Sequence, residues 1–480
     1  MTRDWQELEK WDRAYYLHGV QAASEHQYTA VDSMDGNWFT LADGTRMLDF
    51  MSQLISDSMG HRHPAIHAEL SRAMERYGHA YFGLANEYRA RAAKLIIEDL
   101  LGESAWAGRA RIFSSGTDAV ESCITMARLY TGKSVILTQA HSFHGMVMGS
   151  TMMRGYRANI SPAGSFDKVQ DIPGFPAPGY IPIPAPEFED WNGSGRLPSL
   201  EATEQIVSAI GGENIAAVIT EPMLGGAGTF PHRDYTAGLR DISKRHGFLW
   251  IDDEVICGVG RLGEWFGYMH WPGVEPDLIA AGKGLNGSAL PVGAVIASKE
   301  ISEHFETARW WSGSTWDGHP LICATIVGNL EYMLANDILQ QVRQRGAYLK
   351  ERLDSIQAKH PSVGRVSGRG LFYTVDLVNG EGAPIVPEDR NSAFTSDLAN
   401  MPNNIIAGEN AKRGVFFGRL YAEYHQARPA LHHHPGRNRP GPRFIRSSAR
   451  CHRRQVREEL RPLNPRRHRR RRHPSWRGSG

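Results

Sequence analysis

The sequence has 480 residues, of which 41% are hydrophobic and 22% are charged, and its formal net charge is +2. This composition is ordinary for a globular protein and excludes wholesale disorder. The sequence contains no run of 18 or more apolar residues and no apolar stretch near its start, so we expect neither a membrane span nor a signal peptide.

The small net charge hides a strong asymmetry along the chain. Residues 419–480 contain 18 arginines and three acids, which gives this segment a charge of +15. The other residues include 36 basic and 49 acidic ones, which gives them a charge of −13. An acidic body of the kind found in enzymes is therefore joined to a very basic end.

Four cysteines lie far apart and form no CxxC pair: Cys123, Cys257, Cys323 and Cys451. We therefore expect no disulfide framework, no zinc knuckle and no other metal site. The spacing fits a reducing compartment, and we predict a cytoplasmic location.

The first 130 residues predict a hairpin and then helices. Asp43-Gly44 is a turn signal between the apolar segments 38–40 and 47–50, which indicates a β-hairpin. Apolar residues at helical spacing predict helices at 65–77 and 90–101.

From about residue 110, short apolar runs alternate with helical patterns. The runs that predict strands are 111–113, 134–137, 215–220, 248–251, 278–280 and 292–296. Several intervals are long enough for crossover helices, so we predict an α/β domain with a mostly parallel sheet and helices on both faces. A helix at 339–360 and strands within 366–377 then predict a smaller α+β domain.

Ligands of such folds bind at the carboxyl ends of the strands, and polar clusters follow four of the predicted strands. The first cluster is Ser115, Gly116, Thr117 and Asp118, which leads into a helix ending near residue 130. Small residues at a helix start expose backbone N–H groups that can hold a phosphate. The alternative is an ordinary helix cap without a ligand.

The second cluster, Asp252, Asp253 and Glu254, ends an apolar strand. Buried acids must be solvated, paired or bound to a metal, and one of them could hold a cationic ring nitrogen. The alternative is an acid that caps a helix.

The third cluster places Lys283 between Gly282 and Gly284 at another strand end. A lysine that is partly desolvated there can act as an amine nucleophile and a base, whereas the alternative is a lysine in a surface turn. The fourth cluster, Phe143-His144-Gly145, could stack on a planar ring, although an aromatic residue beside glycine is also common in a core.

Together, a phosphate cradle, a stacking aromatic, a carboxylate and an amine describe a site for pyridoxal 5'-phosphate held as a Schiff base. At these motifs the sequence resembles the class III (omega) aminotransferases, within the fold type I pyridoxal-phosphate enzymes. The resemblance extends from about residue 10 to 418. It rests on Gly60-His61-Arg62-His63-Pro64, Ser115-Gly116-Thr117-Asp118-Ala119, Phe143-His144-Gly145, Glu221-Pro222, Asp253-Glu254-Val255, Gly258-Val259-Gly260-Arg261, Ala281-Gly282-Lys283-Gly284 and the segment from Ser314 to Pro320.

The resemblance implies two catalytic residues. Lys283 would bind the cofactor covalently and move the proton, and Asp253 would pair with the ring nitrogen. The cofactor-binding residues would be Ser115, Gly116, Thr117, Phe143, His144, Glu221, Asp253, Val255, Lys283 and Thr315.

Among these, Phe143 and Val255 would cover the two ring faces, and Phe143 stands where the family more often has tyrosine. Glu221 would lie near the phenolic side of the ring. Thr315 would reach the cofactor phosphate of a neighbouring subunit, which implies a homodimer or a dimer of dimers.

The resemblance also implies a division into domains. Residues 1–57 would belong to the small domain, 58–330 to the large cofactor-binding domain and 331–418 again to the small domain. The expected activity is transfer of an amino group from an ω-amino acid or amine, of the taurine or β-alanine type, to pyruvate. Alternatives are a 2-oxoglutarate-using aminotransferase, or a lyase, aminomutase or decarboxylase of the same family.

The basic segment 419–480 does not look like the family's ending. Codons can be chosen for residues 419–442 that, read one base later, encode a family-like Asn-Thr-Ile-Lys-Leu-Gly-Pro-Pro-Phe segment. We therefore interpret this segment as frameshifted and non-native. The alternatives are a solvated tail or a nucleic-acid-binding tail, and the lack of lysines and interleaved aromatic residues argues against the latter.

Overall fold

The strands and helices of the fold follow the predicted alternation. The computed structural model describes residues 3–18, 28–102, 104–153, 177–226, 228–382, 402–417 and 424–427. The strands are β1 (Val31–Asp35), β2 (Trp38–Leu41), β3 (Arg46–Asp49), β4 (Ala107–Phe113), β5 (Val135–Gln139), β6 (Tyr180–Ile183), β7 (Ile215–Thr220), β8 (Leu249–Asp253), β9 (Leu278–Gly282), β10 (Gly293–Ser298), β11 (Val363–Arg369), β12 (Phe372–Leu377), β13 (Val415–Phe416) and β14 (Tyr424–Ala427). The helices are α1 (Trp5–Tyr15), α2 (Ser52–Ile55), α3 (Pro64–Arg76), α4 (Glu87–Lys94), α5 (Gly116–Thr131), α6 (Met148–Met152), α7 (Pro198–Ile210), α8 (Tyr235–His246), α9 (Lys299–Thr307), α10 (Pro320–Ala335), α11 (Ile338–Lys359) and α12 (Pro402–Lys412).

A seven-stranded sheet forms the centre of the fold, in the order β4-β10-β9-β8-β7-β5-β6. The neighbours from β9 to β6 are parallel, whereas β10 runs antiparallel to both β9 and β4. The predicted mostly parallel sheet is therefore confirmed. The sequence pattern missed β6, which is short and contains Pro182. Proline lacks the N–H of a ladder donor, so an edge position tolerates it.

Helices cover both faces of this sheet. Side chains alternate between the faces along a strand, so Ala217 and Ile219 of β7 pack into the cluster that includes residues of α5. Val218 packs into the opposite cluster, which includes residues of α7 and α8. All six residues of β7 are buried. An unbroken apolar run is what a strand covered on both faces requires.

Strands that precede and follow the central sheet in the sequence form two smaller sheets. The first has the order β1-β2-β3-β13, so strands from near the two ends of the resemblance (residues 10–418) share it. Its β2–β3 hairpin is the one predicted from Asp43-Gly44, and the Asp43 carboxylate accepts the N–H of Thr45 at 2.8 Å. The second sheet has the order β11-β12-β14.

The division into domains stays a prediction, and residue 330 lies inside α10. β14 comes from the segment 419–480 and pairs with β12. The rest of that segment lies outside the described residues, and the frameshift interpretation also stays a prediction. No helix in the described ranges is both long and apolar enough to cross a membrane.

Candidate active site

The carboxyl ends of β4, β5, β8 and β9 meet at one edge of the central sheet, beside a cavity of about 300 Å³. Most of the residues predicted to bind the cofactor line this cavity: Ser115, Gly116, Thr117, Phe143, His144, Asp253, Val255 and Lys283. They are separated by up to 168 positions in the chain (Ser115 to Lys283), so the sheet topology alone brings them together.

The start of α5 forms one end of the cavity. Ser115 is the N-cap, and its hydroxyl oxygen accepts the N–H of Asp118 at 3.0 Å. The next two residues, Gly116 and Thr117, belong to the first turn, where N–H groups have no partner within the helix. The cap interpretation is thus right for the Ser115 side chain. The first-turn amides still offer donors to an anion.

Gly116 is required by close packing against Val255. A Cβ built on Gly116 would stand 2.8 Å from a methyl carbon of Val255, which is too close for two carbon atoms. Any larger residue would push Val255 or the start of α5 into the cavity. The absence of a side chain therefore lets the helix start and the cavity wall approach each other.

Two hydrogen bonds fix the carboxylate of Asp253. Its Oδ2 lies 2.7 Å from Nδ1 of His144, and its Oδ1 accepts the N–H of Val255 at 3.1 Å. Because an ionised carboxylate only accepts, His144 carries a proton on Nδ1. Both side chains are almost fully buried. The sequence suggested His144 only as a cofactor-binding residue, and its contact with Asp253 appears first in the tertiary structure.

The neighbouring acids do not line the cavity. Burial raises the pKa of Asp252 well above its usual value and the pKa of Glu254 to about 7. The anionic form of both carboxyls is therefore disfavoured by burial and by their acidic neighbours. Of the three acids, only Asp253 lines the cavity, and its predicted pairing with a ring nitrogen stays a prediction.

Glu221 lies behind residues of the cavity wall and holds them by hydrogen bonds. Its two carboxylate oxygens accept the N–H groups of Phe143 and Gly225, both at 2.9 Å. Burial raises the pKa of Glu221 to about 7. Glu221 does not line the cavity itself, and its predicted position beside the cofactor's phenolic oxygen stays a prediction.

Lys283 begins a tight turn directly after β9. Its φ is +40°, a conformation that is strained for a residue with a side chain. The buried Asn329 of α10 holds this turn, because its amide Nδ2 donates to the carbonyl oxygens of Gly284 and Leu285, both at 3.0 Å. The lysine lines the cavity and is partly buried, unlike a lysine of a surface turn.

Thr315 lies away from this cavity on its own chain. It is exposed and makes no hydrogen bond with the residues that the structure describes. Its loop is braced by Asp317, whose Oδ2 accepts the N–H of Ser314 at 3.0 Å and a guanidinium N–H of Arg111 at 2.7 Å. The loop therefore presents Thr315 outward from a rigid base.

Comparisons with known proteins show which family the chain belongs to. A family model described as Aminotransferase class-III matches residues 20–398. The crystal structure of an S-selective transaminase from Arthrobacter sp. is 35% identical, covers 90% of this chain and 95% of its own, and gives a TM-score of 0.84. The taurine–pyruvate aminotransferase of Bilophila wadsworthia is 26% identical over 89% of this chain and 92% of its own length.

A further solved structure was determined with the cofactor. It is the taurine:2-oxoglutarate aminotransferase from Bifidobacterium kashiwanohense, in complex with pyridoxal phosphate and glutamate. It is 25% identical, covers 89% of this chain and 93% of its own, and gives a TM-score of 0.79. The predicted fold type I architecture and the predicted cofactor are confirmed.

The described residues also fit this cofactor on chemical grounds. The cavity offers N–H donors for a phosphate at one end, a fixed carboxylate for a cationic nitrogen and an amine for an aldehyde carbon. The chain belongs to the class III aminotransferase family and is a pyridoxal-phosphate-dependent enzyme that takes an amine donor and an oxo-acid acceptor.

Proposed function

We propose that this enzyme transfers the amino group of an ω-amino acid or amine, of the taurine or β-alanine type, to pyruvate. The observation that carries the transaminase chemistry is the grouping of Lys283, Asp253 and the start of α5 around one cavity. The Bilophila relative supports taurine as donor and pyruvate as acceptor. The Bifidobacterium relative supports 2-oxoglutarate as the second candidate acceptor.

We assign the residues roles that their positions support. The N–H groups of Gly116 and Thr117, with the cap residue Ser115, would bind the phosphate. Phe143 and Val255 would enclose the ring, and His144 orients Asp253. The cofactor supplies an electron sink when it is bound.

Lys283 moves the proton of the reaction. Its amine would take a proton from the donor carbon that bears nitrogen and, in the second half-reaction, would give a proton to the acceptor carbon that gains nitrogen. Asp253 would face the ring nitrogen, and its hydrogen bonds with His144 and the Val255 amide hold its carboxylate in place.

The group that binds the donor's carboxylate or sulfonate is still to be assigned. Among the described residues, no arginine lines the cavity. Arg261 is buried, and its backbone and side chain both contact the backbone of Leu371, so it braces its own loop. Arg154 lies outside the described residues. The cytoplasmic location stays a prediction based on the cysteine spacing.

A donor panel tests the proposed substrates directly. The cofactor-loaded enzyme is incubated with pyruvate and taurine, β-alanine or a simple primary amine, and the alanine formed is measured. We expect alanine from taurine or β-alanine, and less glutamate when 2-oxoglutarate replaces pyruvate. Glutamate formation without alanine would overturn the acceptor, and alanine from the simple amine alone would overturn the donor class.

We further propose a homodimer or dimer of dimers in which Thr315 donates to the cofactor phosphate of the partner subunit. Thr315→Ala is expected to weaken cofactor binding by about 1–3 kcal/mol, the scale of one hydrogen bond to a charged group. The dissociation constant would rise roughly 5- to 150-fold, as measured by absorbance titration of the cofactor-free protein. Thr315→Ser keeps the hydroxyl and should bind as the parent does. Equal binding by both variants, or a fully active monomer, would contradict the proposal.

A further inference from the structure

A buried ion-pair network lies between the first small sheet and the active site. His61 stands between two aspartates, with Nε2 at 3.1 Å from Asp49 Oδ2 and Nδ1 at 2.6 Å from Asp57 Oδ2. All three side chains are at most 9% exposed. The buried guanidinium of Arg261 interacts electrostatically with both carboxylates. Two negative and two positive groups therefore balance each other in the interior.

His61 is a cation in this arrangement. Two ionised carboxylates can only accept, so both ring nitrogens must carry protons. Burial by itself lowers the pKa of His61, but the hydrogen bonds and charges of Asp49 and Asp57 outweigh it and raise the pKa to about 9. In this state the cluster is an ion-pair network.

The network encloses a strained loop, residues 51–60, whose first part is the short, distorted α2. Ser52, Gln53 and Ile55 have φ values of +53°, +54° and +60°, which are costly for residues with side chains and persist only where neighbours enforce them. Asp49 supplies part of that constraint, since its carboxylate accepts the N–H of Gln53 at 2.9 Å and of Met51 at 3.3 Å.

Hydrogen bonds also hold the carboxyl-terminal end of the loop. The backbone of His61 forms an antiparallel bridge with Gly36, through hydrogen bonds of 2.6 Å and 3.0 Å. Between the two ends, Ser56 lines the cofactor cavity. Ser58 lies beside the residue after the reactive lysine, because a Cβ built on Gly284 would stand 3.4 Å from its Oγ. Any shift of the loop would therefore change the shape of the cavity.

We propose that His61, hydrogen-bonded between Asp49 and Asp57, is a positioning residue that holds the loop 51–60 against the active site. Its side chain does not line the cavity, so it acts through the loop. The kinetic consequence rests on the proposed function, whereas the effect on the loop does not. Loss of His61 should loosen the loop and leave the phosphate-binding start of α5 intact.

His61→Gln tests this role with two kinds of measurement. Glutamine cannot supply the positive charge, so two buried carboxylates face Arg261 alone. We expect hydrogen–deuterium exchange of the amides of residues 51–60 to accelerate about tenfold or more, with or without cofactor. The KM for the amine donor should rise about tenfold while the cofactor dissociation constant stays within about twofold.

Matched variants separate positioning from a general loss of stability. His67→Gln makes the same change on an exposed residue of α3 and should leave loop exchange unchanged. The double variant His61→Gln/Asp57→Asn removes the excess negative charge and should exchange more slowly in the loop than His61→Gln alone. If His61→Gln proves insoluble, Asp57→Asn breaks the same network with a smaller change and should also accelerate loop exchange.

The effect should also depend on pH. The pKa of His61 is raised above its unfolded value, so its contribution is fully present below about pH 6.5 and is lost as pH rises through about 9. After correction for intrinsic exchange, parent and His61→Gln should differ most at about pH 6.5 and below, and converge near pH 9.5. The groups that face His61 are Asp49 and Asp57. Arg261 faces both aspartates and stays charged over this range, although burial lowers its pKa to about 10.

The outcomes distinguish this proposal from the proposed function. Unchanged loop exchange in His61→Gln, or faster exchange spread evenly over the whole chain, would overturn the positioning role. An enzyme that uses neither taurine nor β-alanine would overturn the proposed donor class alone, since the exchange measurement needs no substrate.

Discussion

Replacement of Lys283 by alanine is expected to abolish transamination. The change removes the amine that binds the cofactor and the group that moves the proton, and the two losses act on the same step. We expect kcat/KM to fall by at least about four orders of magnitude. The cofactor should still bind, because the start of α5, Phe143 and Val255 are untouched. Alanine formation from pyruvate measures the loss, and absorbance titration measures retention of the cofactor.

Two controls make this experiment specific. Lys283→Arg keeps a positive charge at the same place, but a guanidinium does not deprotonate in proteins and cannot serve as the amine. It should be as inactive as Lys283→Ala. Lys299→Ala changes an exposed lysine at the start of α9 and should keep the parent rate. Near-normal turnover by either Lys283 variant would assign the amine to another residue.

Asp253→Asn is expected to preserve the fold and cripple catalysis. The amide has nearly the same shape but carries no charge, so it cannot hold the proton on a ring nitrogen. Removing one charge of a buried, hydrogen-bonded pair costs about 3–5 kcal/mol, which corresponds to a loss of about two to four orders of magnitude in rate. The loss should appear mainly in kcat, because the phosphate and stacking contacts of the cofactor remain.

Asp252 provides the matched control for this prediction. It precedes Asp253 on β8 and does not line the cavity, and burial and the adjacent Glu254 raise its pKa. Asp252→Asn therefore changes neither the shape nor the charge of the cavity, and the rate should stay within about tenfold of the parent's. If Asp252→Asn were crippled and Asp253→Asn active, the role of the ring-nitrogen carboxylate would move to Asp252.

Local sequence patterns determined the secondary structure and the chemistry of the site. Unbroken apolar runs such as the one at β7 predict buried parallel strands, and the polar residues at the end of β8 and directly after β9 predict side chains at the ligand-binding edge. The strand ends indicated Lys283 and a group of three acids, and the resemblance to the class III aminotransferases singled out Asp253 among them. These signals depend only on neighbouring residues, so they can be read without the fold.

The tertiary structure decided which residues support the chemical groups. His144 and Asp253 are 109 positions apart in the chain, and Asn329 is 45 positions from Gly284 in the lysine turn. His61 contacts two aspartates that lie 12 and 4 positions before it. The pattern of residues in the sequence does not predict these pairs, because the packing of strands and helices determines which side chains meet. The pKa of Asp252 is likewise a property of burial: its type and position are those of an ordinary acid, and its enclosure beside Glu254 raises that pKa well above the usual value.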